Sequence, residues 1–140
     1  MNWAYIAGLF DGDGNLHLNF VKNKTQLQLL CRIYNTNIEV LEKIKEFIDY
    51  GHIYANKKIN KEWTVVHALT ISKKKDVFSF LKNISPHLII KRNQVNYALK
   101  NYKFGRESNV DFNIGIFRSF TTRRNTHKFT INYKLVRSTE

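Results

Sequence analysis

The sequence predicts an α+β domain in which helices and antiparallel strands follow the order helix, strand, strand, helix, strand, strand, helix. Three observations carry that prediction. Residues 16 to 33 alternate apolar and polar side chains around a polar break, the pattern of a hairpin with one buried face. Ile38, Leu41, Ile44, Phe47 and Ile48 then recur at helical spacing. Ahead of both, an apolar helix runs into Asp11-Gly12-Asp13-Gly14, where the pattern changes from helical to alternating.

The opening helix spans Trp3 to Phe10, with Asn2 as its N-cap. Ala4 and Gly8 lie one turn apart, with Ala7 and Asp11 beside them, a small-residue face that lets another helix come close. The glycines after Phe10 are expected to end the helix through left-handed conformations. Two carboxylates then stand at the negative end of a helix dipole, an unfavourable place unless a cation joins them.

In the hairpin, Leu16, Leu18 and Phe20 face one way and Asn15, His17 and Asn19 the other. After the turn at residues 21 to 25, Leu27, Leu29, Cys31 and Ile33 point inward, with Gln26, Gln28, Leu30 and Arg32 outward. Asn35-Thr36-Asn37 caps a helix from Ile38 to Tyr50 that Gly51 ends. Ile53 and Ala55 alternate with His52, Tyr54 and Asn56, residues 57 to 61 form a basic turn, and Trp63 to Ile71 is a fourth strand of undecided parity. Helices follow at Asp76 to Ile84, stopped by Ser85-Pro86, and at Asn93 to Lys103. Beyond a boundary at residues 105 to 109, the tail holds a short helix (112 to 120), a basic patch (121 to 125) and an alternating run from Phe129 to Leu135.

Composition narrows the class. At 140 residues with 43% hydrophobic content, the chain can bury a core. Its net charge of +12 calls for a polyanionic partner, nucleic acid ahead of an anionic membrane surface. No apolar run reaches the roughly 20 residues of a spanning helix, and no secretory signal opens the sequence. The single cysteine, Cys31, has no internal disulfide partner and falls on an apolar face. It is expected in the core of an intracellular protein, in cytoplasm or organelle. Asp11, Asp13 and Asn15 begin like a calcium loop, but Leu16 and Lys22 stand where that loop needs Gly and Glu.

Ile6 to Gly14 resembles the LAGLIDADG motif of homing endonucleases, and the element order and charge agree with it. A second segment, Pro86-His87-Leu88-Ile89-Ile90-Lys91-Arg92-Asn93-Gln94, is similar to that family's Pro-x-Leu-x-x-Lys-x-x-Gln. The resemblance covers residues 3 to 100 and divides the chain into a single-motif endonuclease domain, 1–104, and a basic C-terminal extension of the same domain, 105–140. It implies a homodimeric, site-specific double-strand DNA endonuclease that cleaves across the minor groove and leaves short 3′ overhangs. It also implies Asp13 as the principal ligand of a divalent metal, with the Gly12 carbonyl beside it, and Asp11 as a structural group. Lys91 is then the residue in the active-site pocket. Where some relatives carry a glutamine and an arginine, this chain has Asn35 and Glu39, so Asn35 is the auxiliary catalytic candidate.

The chemistry is independently reasonable. Phosphodiester hydrolysis needs a nucleophilic water, charge neutralisation and help for the leaving oxygen, and divalent metals supply all three. Mg²⁺ suits oxygen donors and needs few protein ligands. With one motif per chain, pairing through Ala4, Ala7, Gly8 and Asp11 would bring two Asp13 residues together, one per DNA strand, on a near-palindromic site of about 20 bp. His17, Asn19, Gln26, Gln28, Arg32, Tyr54 and Asn56 are the base-reading candidates. Lys22, Lys24, Lys57, Lys58 and the run Lys73 to Lys75 are candidates for phosphate contacts. The alternatives are a group I intron maturase that binds RNA and a non-cleaving nucleic-acid-binding protein on the same scaffold.

Overall fold

The computed structural model describes residues 1–21, 26–55 and 64–121. Lys22, Lys24, Asn56, Lys57, Lys58, Trp63, residues 122 to 125 and the run 129 to 135 lie outside them.

The elements follow the expected order: α1 (Trp3–Asp13), β1 (Gly14–Val21), β2 (Gln26–Asn35), α2 (Ile38–Ile48), β3 (His52–Ala55), β4 (His67–Ile71), α3 (Lys74–Ile84), α4 (Arg92–Asn101) and α5 (Ile114–Ser119). A single 3-10 turn, Ser85–His87, links α3 to the segment before α4. The four strands form one antiparallel sheet in the order β1-β2-β4-β3.

Local chemistry explains the boundaries. Asn2 Oδ1 accepts from Tyr5 N at 2.8 Å and caps α1, and Asn37 Oδ1 accepts from Glu39 N at 2.9 Å and caps α2. The end of α2 differs from expectation: Asp49, with φ 70°, takes the left-handed cap position, and Gly51, with φ 99°, shapes the chain two residues later. The end of α1 differs too. Gly14 passes straight into extended backbone, and the described positive-φ residues are Asp49 and Gly51. Gly14 is needed for space instead: a Cβ there would overlap the ring and carbonyl of Phe10.

Pairing with β2 and β3 settles the parity of β4. Leu69 sits opposite Ile33 and Ile53, so Leu69 and Ile71 face inward and Ala68 and Thr70 outward. The core joins the inward sheet residues to Ile6, Ala7 and Phe10 of α1, Leu41 and Ile44 of α2, and Phe80 and Leu81 of α3. Trp3 meets Phe47 and Phe80 edge-on, with centroids 5.5 Å and 6.1 Å away. Phe112 and Phe117 belong to the same core, so residues up to α5 pack with the rest. Cys31 is fully buried, and burial pushes its thiol far above the ordinary range, leaving it inert. No helix among the described residues is long and apolar enough to cross a membrane.

Candidate active site and nucleic-acid interface

The site begins where α1 ends. Asp11 is 9% exposed, and its carboxylate accepts three successive backbone N–H groups. Ile89 N and Ile90 N donate to Oδ2 at 2.7 Å and 3.2 Å, and Lys91 N donates to Oδ1 at 3.0 Å. Lys91 returns the contact: its Nζ donates to the Asp11 carbonyl oxygen at 2.8 Å and lies 5.9 Å from the Phe10 ring centroid. The two helices thus exchange charges. The positive N-terminus of α4, whose N-cap residue is Lys91, receives the Asp11 carboxylate, and the negative C-terminus of α1 receives the Lys91 ammonium. An acid at the wrong end of its own helix is serving the right end of another.

Asp13 is the last residue of α1 and is exposed, as is Gly12. The Gly12 carbonyl lies in the final turn, beyond reach of an intrahelical i+4 donor. A hard carboxylate and a backbone oxygen at the negative end of a helix suit a Mg²⁺-like cation, which takes its remaining oxygens from water and phosphate. Among the described residues, no cluster of three or more His, Cys, Asp and Glu stands ready to hold a metal. A cation here would therefore rest on few protein ligands.

Asp11, Gly12, Asn15, Lys91 and Gln94 line one cavity of about 400 Å³, closed on another side by Phe120 and Thr121. Gln94, 6% exposed, donates through Nε2 to the Phe117 carbonyl at 3.3 Å and to Thr121 Oγ1 at 3.1 Å, tying α4 to the end of α5.

Beside this cavity the outer face of the sheet presents its polar side chains. Register places Asn15, Arg32, Thr70 and His52 in one row across all four strands. Tyr34, Ala68 and Tyr54 form the adjacent row, and Asn19 pairs with Gln28. His17 holds its imidazole below the ordinary value because burial disfavours charge, with the Arg32 and Arg118 guanidiniums adding repulsion.

The model of the LAGLIDADG endonuclease family matches residues 6–99, two thirds of the chain. The chain belongs to the LAGLIDADG endonuclease family. No curated protein matches the sequence. Among solved structures, the homing endonuclease I-CvuI in complex with its target is 19% identical, with a TM-score of 0.58. The match covers 70% of this chain and 63% of that one, so this chain spans less than two thirds of I-CvuI. The homing endonuclease I-TnaI is 16% identical over 91% of this chain and 97% of its own, with a TM-score of 0.56. The archaeal intron-encoded I-Vdi141I, complexed with DNA, is 18% identical over 99% of this chain and 84% of its own, with a TM-score of 0.53. The fold is that of the LAGLIDADG homing endonucleases.

Within the LAGLIDADG motif, tertiary packing redraws one expectation. Ala7 is 0% exposed and Asp11 9%, so both pack into the protomer's own interior. The open stripe consists of Ala4, Gly8 and Gly12, and a Cβ added at either glycine would meet nothing within 4 Å. The sequence pattern could not separate the two sets, because Ala7 and Ala4 are equally small and only the sheet decides which is covered.

His17, Asn19, Gln26, Gln28, Arg32 and Tyr54 all fall on the outer sheet face. Tyr34, His52 and Thr70 share it without having been singled out; Thr70 was illegible because the parity of its strand was. Leu30, paired with His17 on this face, is nonetheless only 5% exposed. Asn35 ends β2 and spends its Oδ1 on Asn37 N at 2.8 Å, a turn-forming bond, and it does not line the cavity. Within the lysine run, Lys74 is tied to the Gly105 carbonyl at 3.0 Å and lies 5.8 Å from the Tyr102 ring centroid, while Lys73 and Lys75 are exposed.

Proposed function

We propose that this protein is a site-specific double-strand DNA endonuclease that acts as a homodimer on a long near-palindromic site and uses a divalent metal, Mg²⁺ first. The observation that carries the reading is the pairing at the end of α1: an exposed Asp13 carboxylate two residues after a carbonyl that holds the Lys91 ammonium. Asp13 and the Gly12 carbonyl would hold the metal, which supplies a nucleophilic water and neutralises phosphate charge. Lys91, fixed between the Phe10 ring and the Asp11 carbonyl, stabilises charge developing on the phosphate. Asn35, at the same end of the sheet, is the auxiliary residue of this reading.

The polar outer face reads base edges, with side chains within a row about one strand spacing apart. Exposed lysines and arginines bind phosphates without regard to sequence. A net charge of +12 supports that division. So do the neighbours I-CvuI and I-Vdi141I, which are themselves in complex with a target or with DNA. Pairing of two open α1 stripes would set two Asp13 residues against opposite strands.

The test is a cleavage selection from a randomised duplex library with Mg²⁺, Ca²⁺ or EDTA. The expected product is a linear duplex cut at one near-palindromic sequence with Mg²⁺ and uncut DNA with EDTA. A library left intact in all three, with RNA bound instead, would overturn the endonuclease reading in favour of the RNA-binding one.

A further inference from the structure

The cavity at the end of α1 draws its lining from distant parts of the chain. Asp11, Gly12 and Lys91 form one side, and Phe120 and Thr121, just past α5, form another. That second side is firmly seated. Phe117 is 2% exposed, the Phe120 and Tyr97 ring centroids lie 5.7 Å apart, and Thr121 N donates to the Arg118 carbonyl at 3.0 Å.

Gln94 fixes how the Thr121 hydroxyl is used. One atom of its amide lies 3.3 Å from the Phe117 carbonyl oxygen and 3.1 Å from Thr121 Oγ1. A carbonyl only accepts, so that atom is the Nε2 donor and not the amide oxygen. Thr121 Oγ1 is therefore the acceptor in its bond with Gln94, and the hydroxyl proton is left for another partner. Among the described residues, no acceptor takes it.

We propose that Thr121 is a catalytic residue of this site, its hydroxyl donating a hydrogen bond to a non-bridging oxygen of the scissile phosphate. The proposal rests on the endonuclease reading above. Phosphate oxygens accept hydrogen bonds and gain charge as the new P–O bond forms, which suits a donor fixed in advance. Lys91 brings charge to the cavity and Thr121 brings direction, because both its backbone and its oxygen are already held. Arg118, on the helix that delivers Thr121, acts on His17 of the outer sheet face, so α5 stands beside the face assigned to DNA. Residues 105–121 thereby belong to the reacting site.

The test measures single-turnover cleavage by the full chain, on the site recovered from the library selection, for wild type, Thr121→Val and Thr121→Ser. Urea unfolding checks that each variant is folded, and Thr121→Ala replaces Thr121→Val if valine does not fit. Thr121→Val keeps the shape and loses the hydroxyl, so it should slow cleavage at least about tenfold at saturating enzyme, and Thr121→Ser should recover most of the rate. The decisive readout uses duplexes with sulfur in place of one non-bridging oxygen, in each stereochemical sense. Sulfur accepts a hydrogen bond poorly. At the oxygen that Thr121 holds, it should slow wild type and Thr121→Ser but add little to the defect of Thr121→Val. Equal sulfur effects in wild type and Thr121→Val would make Thr121 a wall residue only and overturn the proposal, as would a Thr121→Val rate equal to wild type. A wild type that leaves every duplex intact with Mg²⁺ would instead overturn the endonuclease reading itself.

Discussion

Asp11 and Lys91 are joined twice, side chain to backbone in both directions: Asp11 Oδ1 accepts from Lys91 N at 3.0 Å, and Lys91 Nζ donates to the Asp11 carbonyl at 2.8 Å. Two residues 80 positions apart thereby cap each other's helices. The two motif acids are thereby separated: Asp11 is committed to the protein's own backbone, and Asp13, exposed two residues on, is the acid that the proposed function assigns to the cation.

Asp11→Asn should therefore destabilise the fold. An amide keeps one acceptor oxygen but turns its NH₂ toward amides that also donate, and a hydrogen bond to a charged group is worth about 1.5–3 kcal/mol. Chemical denaturation should show a loss of about 2–3 kcal/mol together with lost cleavage. A variant as stable as wild type would refute the clamp.

Asp13→Asn should separate stability from activity. The side chain is exposed, so unfolding should change by no more than about 0.5 kcal/mol. Specific DNA binding should persist, measured by mobility shift, while cleavage is abolished. Cutting at the wild-type rate would remove Asp13 from the metal site.

The two motif glycines should behave oppositely. Gly14→Ala pushes a Cβ into Phe10 and should cost about 1–3 kcal/mol. Gly12→Ala meets open space within the protomer and, in a helix, should be neutral or stabilising by up to about 1 kcal/mol. Urea midpoints of the two variants, compared with wild type, check this.

His17 gives a pH signature. Its folded value lies below the ordinary 6.5 or so, chiefly from burial and secondarily from Arg32 and Arg118. The unfolded chain therefore binds the proton more readily, and this group's contribution is intact above about pH 6.5 and falls as the pH drops toward the folded value. An imidazole NMR titration should place the midpoint below that of a model histidine, and Arg32→Ala should raise it. A midpoint unmoved by that substitution would rule out the guanidinium as a cause.

Arg32 stands mid-row on the outer face. Its replacement by Ala should relax sequence preference at one base pair by about 1–3 kcal/mol while leaving non-specific binding nearly intact. Wild-type affinity should fall steeply with salt through counterion release. Uniform weakening on all sequences would instead make Arg32 a phosphate contact.

Much was legible in one dimension. Alternation around the hairpin assigned Leu16, Leu29 and Ile33 inward and His17 and Gln28 outward, because a strand has period two and one covered face. The stripe from Leu41 to Ile48, the capping asparagines Asn2 and Asn37, and the motif with its distant Lys91 were equally local or contiguous signals. Three things were decided only by tertiary structure. Leu69 and Thr70 needed a strand partner, since a run of apolar residues has no polar face to orient it. Ala7 and Ala4 needed the sheet to cover one and leave the other open. And Asp11 found its partners 78 to 80 residues away, three backbone amides that no side-chain pattern records. Sequence determines which residues are able to serve a site; which amide a carboxylate meets depends on where the chain returns in space.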